Sequence, residues 1–276
     1  MAVVLPTRAV RLARIVALAV IAGVGVNYIY QAVHLWSLSD STAYWNAAMR
    51  LREGAALYPT VGNVEASDVY RYAPWFAWLT VPFTYLPMRL AGAIWSLILV
   101  AASVAAVVPL AQRGAWIQVA FFFPILIGIS AFGNVQALLV ASLVWTVDRW
   151  SGPAWIGVAA SLKIFPILFA LTYLGRRQWL RALAAVTVAA ILWAPALLYD
   201  LRGYVTESGQ AGLFNNTVVW MVVAAGAAAA ALALARTWAG WLASAVAVVL
   251  GAPRFFIYDV TYLQLGAPED WDEGRY

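Results

Sequence analysis

Apolar runs close to twenty residues long recur along this chain, and most of its charged residues gather in the short stretches between them. A helical run of that length spans the hydrocarbon core of a bilayer. Of the 276 residues, 64% are hydrophobic and only 11% are charged, against about 25% in an average soluble domain. The chain therefore reads as an all-α polytopic membrane protein. The apolar content is continuous, so 1–265 is expected to form a single transmembrane domain. Residues 266–276 are acidic and aperiodic, and are expected to be a disordered tail.

Charge then sets the topology. Arg8, Arg11 and Arg14 precede an apolar run reaching Val33. The run ends in Asn27-Tyr28-Ile29-Tyr30-Gln31, without the small-residue cleavage site of a signal peptide, so it reads as an uncleaved first helix with a cytoplasmic N-terminus. The net charge of +5 fits basic cytoplasmic loops better than a nucleic-acid partner. Later helices are expected near 90–110, 116–132, 135–147, 182–198, 217–234 and 238–250. Trp155 to Leu174 carries Lys163 and Pro166 in its middle. It is either one span with a buried lysine or two short helices with their turn at Lys163-Ile164-Phe165-Pro166. The hairpin is the better reading, because it leaves Arg113, Arg149, Arg176, Arg177, Arg181 and Arg236 all on the cytoplasmic side.

That arrangement brings the total to about nine apolar helices, each assigned by length and hydropathy. Asp40 to Gly54 has Tyr44, Ala48, Leu51 and Ala55 on one helical face and Asn46, Arg50 and Glu53 on another. It reads as an amphipathic helix lying in the outer interface and stopped at Gly54. Residues 70–87, rich in Pro and aromatics, are too short for a span and read as a re-entrant segment on the outer side. The segment 252–259 returns to that side too.

This leaves Asp40, Arg50, Arg71, Arg89, Lys163, Asp200, Arg202, Arg254 and Asp259 outside. Basic residues on the wrong side of a membrane call for a partner, and an anionic ligand is one. A carboxylate among cations suits transfer from a lipid-phosphate-linked sugar. The carboxylate takes the proton of an acceptor hydroxyl, and the cations stabilise the departing lipid phosphate. Asp40 is the candidate base, with Lys163, Arg71 and Arg254 as phosphate contacts. Tyr44, Tyr72, Asn134, Gln136, Tyr258 and Asp259 are candidate substrate-binding residues. No cofactor and no metal are expected. Cysteine is absent, His34 is the single histidine, and Asp40 has no Asp-x-Asp partner.

Four stretches carry a resemblance to a known family. They are Asp40-Ser41-Thr42-Ala43-Tyr44 with Ala47-Ala48, Gly54 and Tyr58-Pro59; Tyr72-Ala73-Pro74 with Pro82 and Leu86-Pro87; Gly133-Asn134-Val135-Gln136; and Gly157 through Lys163-Ile164-Phe165-Pro166. In this order they resemble GT-C superfamily glycosyltransferases, most closely family 87, the polyprenyl-phosphate-mannose-dependent group. The third stretch has Asn and Gln exchanged relative to the usual Gly-Gln-x-Asn. The resemblance implies a GT-C-like bundle and inverting transfer of mannose or a related sugar. The donor would be a polyprenyl phosphate and the acceptor a lipid or glycan, on the outer face of the cell membrane. It also implies Asp40 as base and Lys163 as a donor-phosphate contact. The chain ends soon after Asp259, where members of that family continue with further helices. A flippase of a lipid-linked sugar and a shortened non-catalytic membrane subunit are the competing readings.

Overall fold

The computed structural model describes residues 7–34, 39–63, 66, 69–204 and 216–266. Among the described residues the regular structure is helical, with no strand. In chain order the α-helices are α1 (Thr7–His34), α2 (Ser39–Arg52), α3 (Pro74–Thr80), α4 (Met88–Gln112), α5 (Trp116–Ser130), α6 (Gln136–Thr146), α7 (Gly152–Leu162), α8 (Ala170–Gly175), α9 (Trp179–Trp193), α10 (Thr217–Leu234) and α11 (Gly240–Gly251). Short 3₁₀ segments follow α3, precede α8, continue α9 and close the described chain at Ile257–Gly266. The expected tail beyond Gly266, the loop around Glu207 and the side chains of His34 and Trp36 lie outside the described residues.

Each apolar stretch expected from the sequence forms helix, but their lengths differ. Met88–Gln112, Trp179–Leu198 and Thr217–Leu234 are long and apolar enough to cross a membrane alone. Helices α6 and α7 have only 11 residues each. Such a helix rises about 16 Å, roughly half the hydrocarbon thickness.

The elements run between two ends. At one end Asp40 N–H donates to Phe132 O at 2.9 Å, joining the start of α2 to the end of α5. At the other end the Arg14 guanidinium lies 5.5 Å from the centre of the Trp116 ring, and Trp145 Nε1 donates to Ala105 O at 2.8 Å. The turns after α4, α6, α8 and α10 share this second end, with Arg113, Arg149, Arg176, Arg177, Arg181 and Arg236.

The stretch from 152 to 175 is a hairpin. Tyr173 OH donates to Val147 O at 2.5 Å and Arg176 pairs with Asp148 at 3.3 Å, so the chain comes back to where it left. The reversal has a local cause. Pro166 has no N–H to continue the i→i−4 ladder, and Lys163 leaves α7 in an extended conformation, φ −135°, ψ 111°. The hairpin tip therefore stands at the Asp40 end.

Helix α2 buries Ala43, Tyr44, Ala47 and Ala48. Ala55, expected on that face, is exposed, because the helix stops at Arg52 and Gly54 turns the chain at φ +67°. A second departure concerns the end of the chain. The segment after α11 was expected only to return to the outer side. It does come back to the Asp40 end, and beyond that it folds into the bundle: Ile257–Gly266 packs on α11, α5 and α6, burying Asp259, Thr261, Tyr262, Gln264 and Leu265. Its mixed polar and apolar residues hide this from hydropathy. Asp259 and Thr261 find partners inside the protein, at Phe256 N and at the Gln136 amide and Tyr258 O.

Candidate active site

The short turn between α5 and α6 builds the site. Gly133 has φ +81°, and a Cβ there would lie 2.7 Å from Ser41 Cβ and 2.9 Å from Ser41 N. Only glycine lets the backbone of α2 come this close. Trp95 Nε1 donates to Gly133 O at 2.8 Å and holds the turn from behind. The next residue, Asn134, is buried, and its Nδ2 donates to Asp40 Oδ2 at 2.5 Å. Its Oδ1 accepts from Gln136 N at 2.9 Å. That backbone bond sets which way the Asn134 amide faces, so the group turned to Asp40 is the donor.

Gln136 opens α6 with its side chain wholly buried. Its Oε1 accepts from Lys163 Nζ at 2.9 Å, and its Nε2 donates to Thr261 Oγ1 at 3.1 Å and Tyr258 O at 3.3 Å. The Lys163 ammonium also lies 4.2 Å from the centre of the Tyr258 ring. Tyr258 stacks on Phe256 at 5.0 Å with 8° between planes, and Arg254 lies 4.8 Å from the Phe256 ring centre. Asp259 Oδ2 caps its own segment by accepting from Phe256 N at 3.1 Å.

These groups surround a cavity of about 610 Å³. Asp40, Tyr44, Arg71, Tyr72, Asn134, Lys163, Arg254, Tyr258 and Asp259 all line it. They come from α2, the 70–87 segment, the α5–α6 turn, the hairpin tip and the stretch after α11, so residues far apart in sequence meet at one space. Gln136, expected to touch substrate, does not line the cavity. It lies beneath the wall and is fully occupied with protein groups. Arg89 lines a separate cavity of about 390 Å³ that shares Tyr44 with the first. Asp200 and Arg202 pair with each other at 2.6 Å on an exposed loop and do not line either cavity.

The aromatic wall is neutral hydrogen-bonding surface. Burial pushes the Tyr44 phenol well above its ordinary value, with neighbouring Tyr72 and Asp40 adding to the rise. Its hydroxyl donates to Tyr72 OH at 3.1 Å. Burial likewise raises Tyr58, Tyr70 and Tyr204. Asp40 and Asp259 are the two carboxylates that line the cavity.

Sequence reasoning missed three contributors. Trp193 and Tyr204 line the cavity and contact each other edge to face at 5.6 Å. Thr261 holds the Gln136 amide. Trp193 and Tyr204 flank the polar loop, where aromatics read as interfacial belt. Nothing in the sequence marks Thr261.

In comparisons with known proteins, the model of glycosyltransferase family 87 matches residues 70–252, more than half of the chain. The match includes Asn134, Gln136 and Lys163 and begins after Asp40. No curated protein and no solved structure matches.

Proposed function

Because the chain belongs to glycosyltransferase family 87, we propose that it transfers a sugar from a polyprenyl-phosphate donor to a hydroxyl of a lipid or glycan acceptor in the 610 Å³ cavity. The observation that carries this reading is the meeting of a carboxylate, Asp40, and an ammonium, Lys163, on one aromatic-lined space. The acceptor hydroxyl gives its proton to Asp40, and its oxygen attacks the anomeric carbon. The bond from that carbon to the phosphate oxygen breaks, and the electron pair leaves with the lipid phosphate. Attack opposite the leaving group inverts the anomeric centre. Lys163 meets the charge that grows on the leaving phosphate, with Arg71 and Arg254 adding positive potential at the cavity. Tyr44, Tyr72 and Tyr258 wall the space in which the sugars sit, and Asp259 offers an acceptor oxygen. No metal is needed for this step, since Lys163 supplies the charge that a cation would.

The orientation follows from charge. Arginines crowd the end away from the cavity, which by the positive-inside rule is the cytoplasmic end. The cavity then opens extracytoplasmically in a multi-pass cell-membrane protein, with α2 at the interface. Mannose is the family-level choice of sugar.

The test is chemical. Purified protein supplied with polyprenyl-phosphate mannose and candidate acceptors should release polyprenyl phosphate and glycosylate the acceptor with inverted configuration. Movement of intact donor across a vesicle bilayer, with no phosphate released, would replace transfer by transport.

A further inference from the structure

The turn between α5 and α6 grips both proposed catalytic groups, and it does so with two amides facing in opposite senses. Asn134 presents a donor to Asp40 because its own oxygen is held by Gln136 N–H. Gln136 presents an acceptor to Lys163 because its own nitrogen donates to Thr261 Oγ1 and Tyr258 O. Exchanging either sense would set donor against donor at Lys163, or lone pair against carboxylate at Asp40. The amide orientations are therefore fixed by partners that do not line the cavity, or that offer only backbone atoms.

We propose that Gln136 is a positioning residue that acts through Lys163: it sets where the ammonium meets the donor phosphate, and Thr261 sets Gln136. The inference rests on the donor reading above and adds a task for a residue that does not line the cavity. Three features support it. Gln136 is 0% exposed, so its amide acts on substrate only through another group. Lys163 ends α7, its N–H making the last ladder bond to Ala159 O at 2.8 Å while its own φ and ψ are extended, so side-chain partners place the ammonium at the far end of its long side chain. The Tyr258 ring fixes the ammonium from one side, and Gln136 bonds to the carbonyl of that same Tyr258. One buried amide thus holds the lysine and the aromatic face it rests on in fixed relation. Gln136 Oε1 gives the ammonium a neutral acceptor, which holds it without adding a charge of its own.

A double-mutant cycle tests this. Gln136→Met removes the acceptor at nearly constant volume, and Lys163→Met removes the cation. Each single variant is expected to lower kcat/KM for the prenyl-phosphate donor by about 10- to 100-fold, the range of a lost charge-assisted hydrogen bond. The double variant should be no worse than Lys163→Met alone, because Gln136 has nothing left to position. Thr261→Val should give a smaller loss, about threefold, that also vanishes in the Lys163→Met background. It reads the same coupling should Gln136→Met fail to fold. Binding of undecaprenyl phosphate alone should follow the same non-additive pattern. If the losses multiply in the double variants, Gln136 is merely structural and the inference is overturned. If the wild type neither binds undecaprenyl phosphate nor cleaves a prenyl-phosphate sugar, the donor reading itself falls, and this inference with it.

Discussion

The two ends of the bundle use the same side-chain vocabulary to opposite effect. At the cavity end Asp40 accepts from an amide N–H at 2.5 Å, and Lys163 lies over Tyr258 at 4.2 Å. At the far end Asp148 accepts from the Trp241 indole N–H at 2.8 Å, and Arg176 lies over Trp241 at 5.3 Å. Both ends pair a carboxylate with a neutral donor and a cation with an aromatic ring. At the far end, however, the parts close on each other. Arg176 bonds to Asp148 at 3.3 Å and to Ala235 O at 2.8 Å, with its side chain 3% exposed. Arg181 packs over Tyr173 at 4.4 Å and donates to the carbonyls of Val147 and Arg149. At the cavity end carboxylates and cations line one aromatic-walled space, with Asn134 bonded to Asp40 and Gln136 to Lys163. An ion pair that closes on itself ties helices together. The same groups held around a void can act on a third molecule.

Substitutions at matching positions should break this contrast in matching ways. The largest effect is expected for Asp40→Asn. It should cost about 10²–10⁴-fold in sugar transfer, the usual contribution of a general base, while the melting temperature in detergent stays close to wild type. Transfer at the wild-type rate would remove Asp40 from the chemistry. Asp148→Ala should do the reverse. It leaves the Arg176 charge without its carboxylate and should destabilise the fold by about 3 kcal/mol, read as a lower midpoint in thermal unfolding. Turnover per folded molecule should hold. A loss of turnover without a loss of stability would mean that the far end also takes part in function.

Gly133→Ala links the two behaviours. The left-handed φ and the contact with Ser41 should cost about 1–3 kcal/mol, and the displaced α2 carries Asp40 with it. Stability and transfer rate should therefore fall together, in contrast to either aspartate. The smallest effect belongs to Asp200→Asn. Arg202 pulls the Asp200 carboxyl down to about 2, chiefly through the side-chain hydrogen bond. The sign is that of a depressed acid: the contribution is complete above the ordinary carboxylate range and is lost as pH falls through about 2. Because the pair is fully in solvent, neither melting temperature nor rate should change between pH 5 and 8. A measurable change would bring that loop into the site.

Much of the fold was legible because hydropathy and charge are local quantities. The helix starting at Thr217 and ending at Leu234 coincides with its sequence reading to the residue. The hairpin at Lys163 followed from two arginines that had to share a side and from a proline that ends a ladder. Asp40, Arg71, Lys163, Arg254, Tyr258 and Asp259 were singled out as outward residues, and they meet at one cavity. Gln136, expected as a substrate contact, is not among the residues that line the cavity. Its burial depends on Thr261 and Tyr258, more than 120 residues away in the chain. The fold-back of Ile257–Gly266 was invisible for a related reason. Its placement rests on contacts with α5, α6 and α11 and on the Thr261 hydroxyl at Gln136, none of which its own residues reveal.

By itself the sequence determined a helical, membrane-type chain, its charge asymmetry and the residues stranded away from the basic end. Those follow from length, hydropathy and sign, which each segment carries alone. Only the tertiary structure decided which of two similar polar clusters closes into a knot and which encloses a space. That distinction rests on distances between helices, and no single segment holds them.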